Sequence, residues 1–238
     1  YQYNFFEGSG AMVLDDISIW KSARTREQLV ASATSKQPVL GNDLFLNYDF
    51  ANGIGDRSLL DLSQNKIKGT IKGGDCYCDY QKSNYANESP VTASVAYNYV
   101  LDFDGDEYVN VPNIGLQNNG AFTAEGWVKV KSNTKDGTFI ALGDSKLQVK
   151  IAGAFTDKFK LNFVGTLQDN STKNMVSSDY LQLNKWHYVA LVQEAPVNGK
   201  TTIRILIDGA QSNQLKDVPP IKMNGNLKFG GDGTTNTN

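Results

Sequence analysis

Val13-Leu14-Asp15-Asp16-Ile17-Ser18-Ile19-Trp20-Lys21-Ser22-Ala23-Arg24-Thr25-Arg26-Glu27-Gln28-Leu29-Val30 reads as a terminating β-strand followed by one short capping helix. It stands at the wrong end of the chain. The other end, residues 226–238, reads as a strand (Asn226-Leu227-Lys228-Phe229) that runs into a Gly/Thr/Asn loop. Everything between reads as one all-β domain that opens near Leu44 and lacks its last strand. That strand is either the N-terminal one folded back or one supplied by a neighbouring copy. The chain therefore reads as a window cut from a longer, repetitive protein, a building block rather than a free-standing enzyme.

Composition bounds the rest. A length of 238 residues suits one large all-β domain, and 40% hydrophobic content supports a sizeable core at that length. A net charge of −2 with 20% charged residues offers no overall basic field for nucleic acid or anionic lipid. The acidic residues favour Asp over Glu, which has two readings: turn residues that bond nearby backbone, or oxygen ligands for calcium. Cys76 and Cys78 flank Tyr77, and so short a spacing closes only a strained ring. A metal site there would need further ligands, and His187 is the one histidine in the chain. No apolar run approaches the ~20 residues that span a bilayer, so direct membrane insertion is not expected. The chain begins with Tyr and carries no leader, as a fragment or mature product would.

The pass along the chain finds short β-type runs separated by Gly, Asn and Asp clusters, the pattern of a sandwich or barrel. Strands are expected at 44–50, 99–103, 108–111, 121–131, 139–142, 147–151, 159–164, 186–192 and 201–207. Ile203, Ile205 and Ile207 repeat at period two and put one face in a core, while Leu206 on the other face points to partial cover there as well. One short helix is expected near residues 23–32, with Ser22 or Thr25 as its cap. Residues 34–43 have linker composition, and 72–97 read as a long surface excursion.

These runs resemble the laminin-G-like group of the concanavalin A-like lectin/glucanase superfamily. The likeness rests on Leu46-Asn47-Tyr48-Asp49-Phe50, Leu60-Asp61-Leu62-Ser63-Gln64-Asn65, Leu101–Val109, Phe122–Lys129, Leu183–Val192, Ile205–Gly209 and Leu227–Gly231, which follow the family's order. The family's closing motif, an acidic pair in a strand before a short helix, matches Leu14–Thr25, before the domain instead of after it. Joining Asn238 to Tyr1 would restore the family order. The resemblance implies an antiparallel two-sheet jelly roll: residues 1–33 as closing strand and helix of this or a neighbouring copy, 34–43 as linker, 44–238 as the domain lacking its last strand. It also implies one structural Ca²⁺ between the first and closing strands, with Asp49, Asp104, Gly105 and Asp16 at the matching positions. Turn and strand-end aspartates account for the same residues without a metal.

Function follows by elimination and analogy. Glucanases on this fold carry a Glu-x-Asp-x-x-Glu string, because retaining hydrolysis needs a carboxyl pair ~5 Å apart, and no such string occurs here. Glu125 stands in a strand without an acidic partner two or four residues away. Trp127 and Trp186 read as packing anchors, and Tyr77, Tyr80 and Tyr85 are the candidate ligand-binding aromatics. The expectation is a non-catalytic structural or adhesive module of a large secreted or cell-surface protein, located outside the cell. Its partners would be neighbouring copies, met by strand exchange or tandem packing, or a glycan or cell-surface protein, and not nucleic acid. The rival is a carbohydrate-binding module attached to a glycoside hydrolase.

Overall fold

Nine consecutive residues, Met12–Trp20, are buried except for the half-buried Asp16. A strand can lose water along its whole length only when both faces and both edges are covered. The computed structural model shows how this is done: the segment forms β1 in the middle of a sheet of its own chain. On one side it pairs with β8 (Phe122–Val130) over its length. On the other it pairs first with β6 (Tyr99–Phe103) and then with β2 (Leu44–Tyr48). The structure describes residues 12–35, 39–50, 57–73, 80–82, 99–103, 107–112, 120–131, 137–143, 145–151, 157–223 and 225–231.

The remaining elements in chain order are α1 (Arg26–Thr34), β3 (Ser58–Leu59), β4 (Gly69–Lys72), β5 (Tyr80–Lys82), β7 (Tyr108–Val111), β9 (Gly137–Leu142), β10 (Ser145–Ile151), β11 (Lys158–Thr166), β12 (Thr172–Val176), β13 (Leu181–Gln182), β14 (Trp186–Gln193), β15 (Thr201–Ile207), β16 (Ala210–Val218) and β17 (Leu227–Phe229). They make two antiparallel sheets. The first runs β16-β15-β14-β8-β1-β6-β5, with β2 on β1; the second runs β12-β11-β10-β9-β17-β7-β4-β3, with β13 on β11. This is the expected all-β sandwich of two sheets with one short helix.

Alternation along the strands builds the core between the sheets. Leu14, Ile17 and Ile19 of β1 meet Phe159, Leu161 and Phe163 of β11 and Leu227 and Phe229 of β17 in one buried cluster. The opposite face of the first sheet is also covered. Val13, Trp127, Trp186, Tyr188, Ala190, Val192 and Leu206 form a second cluster, and Leu29 of α1 is buried in it. The helix thus adds a third layer over the middle of the first sheet.

Local chemistry sets the joints. The helix starts later than Ser22 allows: Thr25 Oγ1 accepts from Gln28 N–H and Gln28 Oε1 accepts from Thr25 N–H, a capping box. Ser22 instead bonds Asp43. The Asp208-Gly209 turn joining β15 to β16 has positive φ at both residues (52° and 77°), the handedness that suits a two-residue hairpin. A Cβ on Gly209 would also lie 2.5 Å from Val30 of α1, so this glycine lets the helix sit down. In β1 the register with β8 shifts between Asp15 and Ser18, and Asp16 has φ 49°. This is a bulge, which turns one side chain out of the in–out alternation.

Within the 34–43 segment read as linker, Leu44 N–H donates to Gly41 O in a turn and Lys21 N–H donates to Asp43 O, which ties the turn to the end of β1. One expectation needs correction. Residues 80–82, read as part of a surface excursion, form the edge strand β5 on β6. Strand pairing with an edge overrides a polar, turn-like composition at 80–82.

Candidate functional site

The bulge decides where the acidic pair of β1 points. Asp15 stays in the alternation, on the helix-covered face beside Trp127, its register partner on β8. It is fully buried; its Oδ1 accepts from Asp16 N–H at 2.9 Å, and Oδ2 has no hydrogen-bond partner. Asp16 is released by the bulge towards Asp49, which follows Tyr48, the residue paired with Ile17. Burial and the Asp49 charge push the Asp16 carboxyl up to about 7. Burial, then the Asp16 charge, holds Asp15 well above the ordinary carboxylate range. Three carboxylates therefore feel one another at the junction of β1 and β2.

Of the residues expected to bind calcium, the fold brings Asp16 and Asp49 together and adds Asp15. Asp104 and Gly105 lie outside the described residues. Among the described residues no group of three or more His, Cys, Asp or Glu side chains has the geometry to hold a metal ion. The donors are hard oxygens with an orphaned buried carboxylate oxygen, which suits calcium chemically. Of the candidate aromatics, Tyr77 and Tyr85 lie outside the described residues, and Tyr80 pairs with Leu101 at the edge of the first sheet.

Beneath α1 sits a second buried charge system. Glu125, the lone acid of β8, is opposite Ser18 of β1 and Ala190 of β14. Its Oε1 accepts from Arg24 Nη1 at 2.7 Å and from the Trp20 indole N–H at 2.8 Å. The Arg24 guanidinium lies 3.9 Å over the Trp20 ring, and its Nη2 donates to Gln28 O of the helix. Arg24 N–H donates to Thr123 Oγ1, whose hydroxyl donates to Ser22 O. The extended Ala23–Thr25 segment before the cap makes this possible, because it carries Arg24 down under the helix. Glu125 Oε2 and Ser32 Oγ close no hydrogen bond. Burial outweighs Arg24 and the Trp20 donor, so the Glu125 carboxyl is raised to about 7.

His187 holds a third junction. Its Nε2 accepts from Gln182 N–H at 3.0 Å, which places the ring proton on Nδ1, 2.8 Å from Asp208 Oδ2. Asp208 Oδ1 accepts from Tyr188 N–H. The imidazole therefore clips β13 and the β15–β16 turn to β14. Asp61 does similar work beside β2, accepting from the N–H groups of Asn47, Ser63 and Ile67 and from the Ser63 hydroxyl.

The two sheets differ in charge. Among the described residues, the strands of the second sheet hold Lys72, Lys146, Lys150, Lys158, Lys160, Lys173 and Lys228, and no Asp, Glu or Arg. The strand acids Asp15, Asp16, Asp102, Glu125 and Asp217 all belong to the first sheet. Sequence reasoning missed this segregation, and it also missed Arg24 as the partner of Glu125. A single glutamate inside the apolar run Phe122–Val130 was the signal for that pair, since a buried carboxylate calls for a buried cation.

Comparison with known proteins places this architecture. A laminin-G-type family model, described as concanavalin A-like lectin/glucanases superfamily, matches residues 103–238. No curated protein sequence matches the chain. Among solved structures, the crystal structure of an HCR/D mutant is 18% identical with a TM-score of 0.44, over 73% of this chain and 41% of that one. The botulinum neurotoxin type G receptor binding domain is 14% identical with a TM-score of 0.36, over 72% of this chain and 40% of that one. The chain spans about two fifths of the length of each.

The Arg24–Glu125 pair has a pH signature. The folded carboxyl is raised above its unfolded value, so its contribution to stability is full below about 4.5 and is lost as pH rises through about 7. Arg24→Met removes the one cation that offsets this loss. Urea unfolding at pH 8 should show the variant destabilised by ~3–5 kcal/mol, the cost of an uncompensated buried charge, and by clearly less at pH 5, where Glu125 takes up a proton. Equal losses at both pH values would mean that the pair is not the buried system described.

Proposed function

The chain belongs to the laminin-G-type branch of the concanavalin A-like lectin/glucanase superfamily, and from that premise we propose that it is a non-catalytic module with a structural or adhesive role in a large secreted or cell-surface protein. The superfamily includes glycosidases, so the non-catalytic reading needs its own support. One observation carries it: among the described residues neither sheet offers a pair of accessible strand carboxylates, since half-buried Asp16 and exposed Asp217 stand four strands apart, on β1 and β16. Glu125 is sealed under α1 against Arg24, and Asp102 is buried against Lys131 at 2.5 Å. Asp15 is buried without access, and among the described residues the strands of the second sheet carry no acid. Hydrolysis of a glycosidic bond needs two carboxyls facing the substrate. The cleft bounded by residues 40–42 and 62–64, about 230 Å³, is likewise lined without acid or histidine.

β1 completes the first sheet of its own chain, so association with neighbouring copies would be tandem packing of closed sandwiches. No helix among the described residues is long and apolar enough to cross a membrane, so attachment to a surface would come through partners or other segments. The test pairs a glycan array with a reducing-end assay on the bound glycans. The reading expects no new reducing ends. Release of reducing ends would overturn it, and tight binding of neutral oligosaccharides would favour the carbohydrate-binding-module alternative.

A structural calcium ion is the second proposal, supported by the mutual repulsion of Asp16 and Asp49, with Asp104 and Gly105, outside the described residues, as the further ligands it would need. Ca²⁺ would compete with protons for these carboxyls and so matter more at neutral pH than at acid pH. Melting at pH 7.5 should drop by several degrees in EGTA, with a smaller drop at pH 5 and none in Asp16→Asn. An unchanged melt at pH 7.5 removes calcium from the account.

A further inference from the structure

The outer face of the second sheet has a chemistry that the core does not explain. Phe159, Leu161 and Phe163 of β11 point into the sandwich, so Lys158, Lys160 and Asn162 stand on the other face, ~6.6 Å apart along the strand. Their neighbours across β10 include Gln148, directly opposite Asn162, and Lys146, opposite Val164. At the margin Tyr180 is 40% exposed, with Lys160 Nζ 4.1 Å and Lys158 Nζ 5.5 Å from its ring centre. Lys160 is held in place by the carbonyls of Ser177 and Ser178. Asn162 is 5% exposed, and its Oδ1 has no hydrogen-bond partner. An orphaned acceptor at the floor of a lysine-bearing face calls for a ligand that brings a donor as well as negative charge.

We infer that this face binds a uronate-bearing polysaccharide. The lysine ammoniums match its carboxylates as charge-assisted partners, and a uronic acid keeps free hydroxyls that can donate to Asn162 Oδ1 and bond Gln148. Those hydroxyls separate it from simpler polyanions: heavy sulfation consumes them, and a polyphosphate chain has none. The absence of arginine from the described strands of this sheet also removes the bidentate fork that phosphate recognition favours. The inference deepens the binding-module reading and rests on it.

Oligogalacturonate binding to the full chain, measured by calorimetry at low and physiological salt, tests the assignment. Methyl-esterified oligogalacturonate keeps the hydroxyls and loses the charge; dextran sulfate and inorganic polyphosphate keep the charge and lose the donors. Oligogalacturonate should bind at least about tenfold more tightly than any of the three, and more weakly as salt rises. Lys146→Gln and Asn162→Ala should each cost roughly tenfold, a charge-assisted contact or a buried hydrogen bond, with unchanged melting temperatures. Lys216→Gln, on the first sheet, should change nothing. Equal affinity for the methyl ester would mean a neutral-glycan face, equal or tighter binding of dextran sulfate or polyphosphate a non-selective one, and no binding or indifferent variants no site; each overturns the inference. Release of reducing ends from bound oligogalacturonate would instead overturn the non-catalytic reading and leave the face assigned.

Discussion

The fold depends on one strand closing a gap. β8 on one side, and β2 and β6 on the other, leave a slot whose backbone donors and acceptors have no other partners in the sheet, and β1 fills it. Leu14, Ile17 and Ile19 then complete the core between the sheets. Each fully buried aliphatic side chain contributes ~1.5–3 kcal/mol, so three of them rival the ~5–15 kcal/mol net stability of a typical domain. The unpaired backbone of an open slot would add to the loss. Without β1 the sandwich has neither a continuous first sheet nor a sealed core.

The same strand and its continuation organise the charges. Trp20 closes β1 and donates to Glu125; four residues on, Arg24 reaches the same carboxylate before the chain enters α1. Helix position, sheet closure and neutralisation of the buried glutamate are thus tied within Met12–Thr34. Pairs of this kind contribute little net stability, since desolvation offsets the attraction, but breaking one is costly. Their effect is to fix geometry, here the seat of the third layer. Glu125 and Asp102 of the first sheet are consumed in such pairing, whereas among the described residues the strands of the second sheet carry lysines and no acid.

Much of this was legible in the sequence where burial is one-sided and local. The Ile203/Ile205/Ile207 alternation and the strand expected at 186–192 stand where the pattern puts them, in β15 and β14. β12 and β16 were not legible. Their sequences, Thr172–Val176 and Ala210–Val218, are largely polar because each lies at a sheet edge with one face in water. The bulge at Asp16 was hidden too, since a non-glycine residue at positive φ leaves no mark on composition. Charge segregation was hidden for a topological reason. The strands of the second sheet come from sites scattered between residues 58 and 229, and the near-zero total averages a basic sheet with a more acidic one.

Native-state amide exchange at Leu14, Ile17 and Ile19, followed at two protein concentrations, measures the seating of β1 directly. A strand held between β8 and β2 of its own chain should release these amides only through global unfolding, at a free energy independent of concentration. Exchange as rapid as that of the edge strand β12, or protection that grows with concentration, would show that the slot is open or is filled by another copy.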